Sequence, residues 1–110
     1  MGSEQDKTRP WVVVSRSETN SQRTVVAVPF STRLHKSGPL YRILIPRQEF
    51  LKDQSCSHTD IQDSLALCDQ IRIIDKSRVI YKYGVLTRTA FHSVQLGLTY
   101  IFDIRGARTS

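Results

Sequence analysis

The sequence predicts a mainly β domain: a small, strongly curved antiparallel sheet or barrel, with one α-helix laid against it at the C-terminal end. Ahead of Thr87, short runs of β-branched and aliphatic residues alternate with polar, turn-rich segments. From Thr87 the apolar period changes, and Ala90, Phe91, Val94, Leu98, Ile101 and Phe102 recur at helical spacing. Nothing resembles the strand–helix alternation of a parallel nucleotide-binding sheet.

The elements follow in order. Residues 1–10 (MGSEQDKTRP) are polar and read as a loop or tail. Residues 11–15 (WVVVS) suit a first, buried strand, and residues 16–23 a polar turn. Residues 24–30 (TVVAVPF) form a second strand. Pro29 has no N–H, so pairing is expected to stop or bulge there. A basic loop, residues 31–39, leads to a third strand over residues 40–45 (LYRILI). Residues 46–60 read as a polar connection without structure of its own, long enough to suggest a function or an insertion. An apolar strand restarts at residues 64–67 and is expected to run on through residue 74. Residues 75–77 form a tight turn or one helical turn, and residues 79–83 (VIYKY) a further strand closed by Gly84. Thr87 caps an amphipathic helix over residues 88–102 through its hydroxyl. The single domain is expected to span residues 1–104, with residues 105–110 as a polar tail.

A chain of 110 residues with 39% hydrophobic content builds one core with little surplus, and chains this small often gain stability by pairing with a copy. The net charge of +6 favours polyanionic partners, nucleic acid or an acidic protein, although a merely solvated basic domain has the same balance. Cys56 and Cys68 have no metal-ligand spacing. No secretory leader opens the chain and no apolar run is long enough to span a bilayer, which points to a cytoplasmic protein with reduced thiols.

Three segments carry candidate chemistry. Arg9 precedes Pro10, which holds its backbone extended at the entrance to the first strand. A guanidinium presented this way matches two phosphate oxygens; an exposed arginine in a tail is the alternative. Ser31 and Thr32, followed by Arg33, place two hydroxyls and a charge at a strand end, where the same residues also make an ordinary turn. Asp69 and Gln70, with Arg72, interrupt an apolar strand and therefore need hydrogen-bond partners. They anchor either a functional network or simply a loop. His35, His58 and His92 are scattered, with no Ser–His–acid pattern and no glycine-rich phosphate loop. The lack of a carboxylate–histidine cluster argues against a metal-dependent nuclease.

Taken together, these segments resemble the signature of the MazF/PemK toxin family, which includes the Kid-like toxins. Residues 2–14 (GSEQDKTRPWVVV) are similar to the family's G-S/H-E-Q-x-x-x-R-P loop and following strand. Residues 25–32 (VVAVPFST) resemble its apolar strand ending in a Thr/Ser pair, and residues 63–78 (DSLALCDQIRIIDKSR) its D-S-V-A-x-C-D-Q-I-R segment. The order and spacing agree over nearly the whole chain. The family's strand ahead of the first loop has no counterpart before Met1, so an upstream extension or a shortened fold is expected. The connection from Gln48 to Ile61 is longer than usual, and Leu67 stands where some relatives carry an arginine.

The resemblance implies an SH3-like barrel and a symmetric homodimer with RNA in a groove at the interface. It implies a type II toxin, an mRNA interferase that cuts single-stranded RNA with neither metal nor cofactor. The substrate's own 2′-hydroxyl attacks, leaving a 2′,3′-cyclic phosphate and a 5′-hydroxyl. In that scheme Arg9 stabilises the phosphorane and assists the leaving group, and Ser31 and Thr32 orient the phosphate. Glu4 is the base or orients Arg9, and Asp69 is the alternative base. Gln5, Thr8, Trp11, Phe30, Arg33, His35, Gln70 and Arg72 contact the RNA by stacking, charge or hydrogen bonds. The expected partner is an acidic antitoxin whose partly disordered tail folds over the basic groove, the pair together binding DNA. A gyrase-directed, CcdB-like toxin and a truncated, inactive remnant are the alternatives.

Overall fold

The computed structural model describes residues 9–16, 22–57 and 60–102. Among them run seven strands: β1 (Trp11–Val13), β2 (Thr24–Ser31), β3 (Arg42–Ile45), β4 (Phe50–Lys52), β5 (Ser64–Leu67), β6 (Arg72–Asp75) and β7 (Gly84–Leu86). One helix, α1 (Arg88–Phe102), follows. The architecture is mainly antiparallel β with a C-terminal helix, as the sequence predicts.

β2 organises the sheet because it is the longest strand and has apolar residues on both faces, with Val25, Ala27, Val28, Pro29 and Phe30 all buried. β1 pairs along one edge, Trp11 opposite Pro29 and Val13 opposite Ala27. Two strands share the other edge. β6 covers Thr24 to Ala27, and β5 covers Phe30 and Ser31. β5 also pairs with β3, while β4 and β7 form a separate ribbon. β1 and β3 end the larger sheet without meeting, so the sheets are open where a closed barrel was expected.

Pro29 does not end the pairing. The β1 ladder bonds fall on either side of it, Phe30 N–H donating to Pro10 O at 3.1 Å and Val14 N–H to Val26 O at 2.9 Å. On the other edge, Pro29 lies in the gap between the β6 and β5 ladders. Its missing N–H is therefore needed by neither neighbour.

Three further expectations are corrected. The apolar run from residue 64 to 74 is broken at Cys68–Gln70 by one 3-10 turn, which lets the chain leave β3 and rejoin β2 lower down. The connection after residue 45 has structure of its own, a 3-10 turn at Arg47–Glu49 followed by β4. Residues 79–83 are not a strand. Val79 and Ile80 are 54% and 65% exposed, and pairing starts only at Gly84. That glycine is required by a close approach: a Cβ there would lie 2.0 Å from the Leu51 carbonyl oxygen.

The helix has the expected bounds. Thr87 Oγ1 accepts the Ala90 N–H at 3.2 Å, the expected cap, and its hydroxyl also donates to the Glu49 carboxylate. Ala90, Val94 and Gly97 are buried, with Leu98 and Ile101 packed behind them; Phe102 turns outward, 55% exposed. The core joins Val28, Phe30, Ile45, Ala66 and Cys68 to Ala90 and Val94 of the helix. The turn at Lys76–Arg78 forms as expected, Asp75 Oδ1 accepting the Ser77 N–H at 2.9 Å.

Both cysteines are free. Burial, aided by the Asp69 charge, pushes the Cys68 thiol up to about 11. The thiolate is the reactive form, so Cys68 is expected to resist a thiol reagent near pH 8 until the protein unfolds. Half-buried Cys56 should react in the native state. Timed labelling before and after denaturant checks this, and fast labelling of both thiols in the native protein would contradict it.

No helix is long and apolar enough to cross a membrane among the described residues.

Candidate active site

The β1–β2 register positions the candidate site residues. With Trp11 opposite Pro29 and Phe30 bonded to Pro10, one further step sets Arg9 opposite Ser31. Proline at position 10 keeps that approach extended. Arg9 is exposed, Ser31 half-buried and Thr32 exposed, so all three stand at the rim where β2 ends. Glu4, Gln5 and Thr8 lie outside the described residues.

Ser31 does two jobs. Its Oγ accepts the Arg33 N–H at 3.1 Å, the turn-forming role expected of a hydroxyl at a strand end. The O–H itself remains a donor for an anionic oxygen. Arg33 and His35 follow on the exposed loop, His35 within the 3-10 turn Leu34–Lys36. Trp11 is half-buried opposite Pro29.

Phe30 is a correction. It is 3% exposed and packs edge-on against Phe50, ring centroids 5.1 Å apart. A base has no ring face to stack on there, because β2 alternation turns Phe30 inward next to Ser31. Arg72 is also set apart. It faces Ala27, four residues back along β2, about 13 Å from Ser31 at strand spacing.

Asp69 lies in the turn between β5 and β6, and sequence reasoning missed its partner, Arg42. Arg42 Nε and Nη2 donate to the two Asp69 oxygens at 3.4 and 3.2 Å, and Nη1 donates to the Lys36 carbonyl at 3.2 Å. One guanidinium thus ties β3 to the Asp69 turn and to the loop after Ser31. The hydrogen bonds to Asp69 hold Arg42 above its ordinary value, outweighing burial. The signal was present in the sequence, since a charge within the apolar run LYRILI needs a partner. Gln70 is half-buried beside this pair.

Replacing Arg42 by alanine frees both Asp69 and the Lys36 carbonyl. Amide exchange is then expected to quicken at Lys36 and Ser37, whose N–H groups bond within that loop. Unchanged exchange there would show that the loop holds itself.

Among the described residues no three His, Cys, Asp or Glu side chains are grouped so as to hold a metal ion.

The architecture has close structural relatives. The Mycobacterium tuberculosis toxin MazF-mt6 superposes with a TM-score of 0.68 at 18% identity, over 86% of each chain. An endoribonuclease from a mycobacterial species gives 0.70 at 17% identity, over 90% of this chain and 84% of its own. A MazE–MazF structure from Deinococcus radiodurans gives 0.67 at 17% identity, over 89% and 88%. A search of the curated proteins found no match. Residues 1–102 match the family model of PemK-like, MazF-like toxins of type II toxin–antitoxin systems. The chain, with its Arg9-to-Ser31 register and its C-D-Q turn, belongs to that family.

Proposed function

We propose that this toxin is an endoribonuclease that cuts single-stranded mRNA without a metal ion, using the substrate's own 2′-hydroxyl. The observation that carries the reading is the placement of Arg9 across from Ser31, with Thr32 next in line, at an exposed strand end. In-line attack by the 2′-oxygen builds charge on the phosphorane. A guanidinium and two hydroxyl donors at one phosphate stabilise that charge better than the ground state. Arg9 acts chiefly through charge, because a guanidinium is a poor proton donor.

Glu4 is the proposed base, or the group that orients Arg9, with Asp69 as the alternative. The Arg42 fork on both Asp69 oxygens favours Glu4. Arg33 and His35 supply contacts along the loop after Ser31, Gln5 and Thr8 ahead of β1, Trp11 at its start, and Gln70 in the turn between β5 and β6, with Arg72 set farther off at the start of β6. One structural relative is described as an endoribonuclease, and others are MazE–MazF structures. By that likeness the proposed partners are an acidic antitoxin and a second copy of the chain, in the cytoplasm.

The test is purified protein with single-stranded RNA in excess EDTA, with the ends mapped. Discrete cuts leaving 2′,3′-cyclic phosphate and 5′-hydroxyl ends are expected. Intact RNA, or 3′-hydroxyl ends, would overturn the proposal.

A further inference from the structure

Beside the β4–β7 ribbon lies a pocket of about 350 Å³, lined by Arg47, Gln48, Phe50, Lys52, Asp60 and Tyr83, with Ile61 completing its apolar part. One wall is fixed. The Tyr83 hydroxyl accepts the Ile61 N–H at 3.2 Å and donates to Asp60 Oδ1 at 3.4 Å. Lys52 Nζ reaches the same oxygen at 3.3 Å, and Phe50 is held by its contact with Phe30. The other wall is uncommitted. Arg47 bonds through its backbone, N–H to Asp63 Oδ1 at 2.8 Å. The exposed Arg47 and Gln48 side chains make no hydrogen bond or ion pair with a described residue.

The pocket lies at the same end of the sheet as the candidate active site. Ser31 faces Leu65, Leu65 faces Leu44, and Ile45 faces Ser64. The end of β2, the start of β5 and the end of β3 therefore share one end of the sheet, and Arg47 follows β3 after Pro46.

From this we infer that the pocket takes one nucleotide of single-stranded RNA flanking the cleaved bond, with its phosphate on Arg47 and its base edge on Gln48. The identity of the polymer rests on the nuclease reading. The cavity volume is at the small end for organic ligands and suits a single nucleotide. Lys52 is neutralised by Asp60, so attraction for an anion falls to Arg47, whose donors fit two phosphate oxygens. A primary amide both donates and accepts, as an unpaired base edge requires. The fixed Phe50–Tyr83 wall reduces the ordering cost on binding.

The experiment is fluorescence anisotropy with a short, fully 2′-O-methylated single-stranded RNA, read across a salt series. Methylation blocks attack by the 2′-oxygen, so binding is measured apart from cleavage. Arg47→Ala is expected to weaken binding about tenfold and to reduce the slope of log K against log salt by about 0.7. Arg47→Lys should restore the slope and part of the affinity. Gln48→Ala should weaken binding with the slope unchanged. Wild-type affinity and slope in Arg47→Ala, or no binding by the wild-type protein, would overturn the pocket's role. Arg47-dependent binding by a protein that cuts no RNA would overturn the nuclease reading alone.

Discussion

Arg9→Ala is expected to lower kcat for cleavage of a single-stranded RNA by about 10²- to 10³-fold, the usual cost of removing one preorganised donor from a developing oxyanion. The effect should fall on kcat more than on KM. The guanidinium contributes most when the phosphorane charge is at its height, and little to the ground-state phosphate. The fold should be untouched, since Arg9 is exposed and precedes β1. Arg9→Lys keeps the charge but loses the planar fork, and should recover only part of the rate. Single-turnover cleavage of a defined RNA, with thermal unfolding of each variant as control, decides it. A variant that cuts at the normal rate would remove Arg9 from the chemistry.

The largest expected effect on stability is at Gly84. A methyl group at this position meets the Leu51 carbonyl oxygen at 2.0 Å and the Asp53 nitrogen at 2.9 Å. Both are backbone atoms, one in the facing strand and one in the residue that follows it, so no side chain can swing aside. Gly84→Ala must push β4 and β7 apart, at a cost of about 1–3 kcal/mol on the scale of overpacking. For a domain of this size each kcal/mol lowers Tm by about 4–8 °C. The Asp53 N–H, which donates to Tyr83 O at 2.8 Å, should also exchange faster as the ribbon opens. The pocket walls from Lys52 and Tyr83 flank this crossing, so oligonucleotide binding should weaken as well. An unchanged melting temperature and unchanged exchange at Asp53 would contradict the close approach.

Local patterns were the legible part of the fold. The helix was readable in its bounds and in most of its inner face, Phe102 excepted, because Ala90, Val94, Leu98 and Ile101 repeat at its period and Thr87 offers a cap. β2 was readable because its apolar run is long enough to exclude other assignments. Residues 79–83 misled because β-branched and aromatic composition reports fitness for a pleated surface, not whether a partner strand is there. β4 was hidden for the opposite reason. Three residues, Phe50 to Lys52, in a polar stretch carry no period, and the strand exists because β7 pairs with it from 32 residues away (Lys52 to Gly84).

The site was legible to the same degree. Arg9-Pro10 and Ser31-Thr32 could be singled out in sequence, yet their meeting depends on the antiparallel register. Arg42 escaped notice because its partner is 27 residues away. Phe30 reads as a stacking surface because an aromatic beside two hydroxyls suits one; it shares the core-facing side of β2 with Val28 and packs on Phe50 instead.

If Arg9 and Ser31 hold a single phosphodiester, their losses cannot be independent. A double-mutant cycle on cleavage rate, with Arg9→Ala, Ser31→Ala and both, measures this directly. The expected result is that Ser31→Ala costs far less in the Arg9→Ala background than in the wild-type protein. Losses that simply multiply would mean that the two side chains act at separate places, contradicting the shared site.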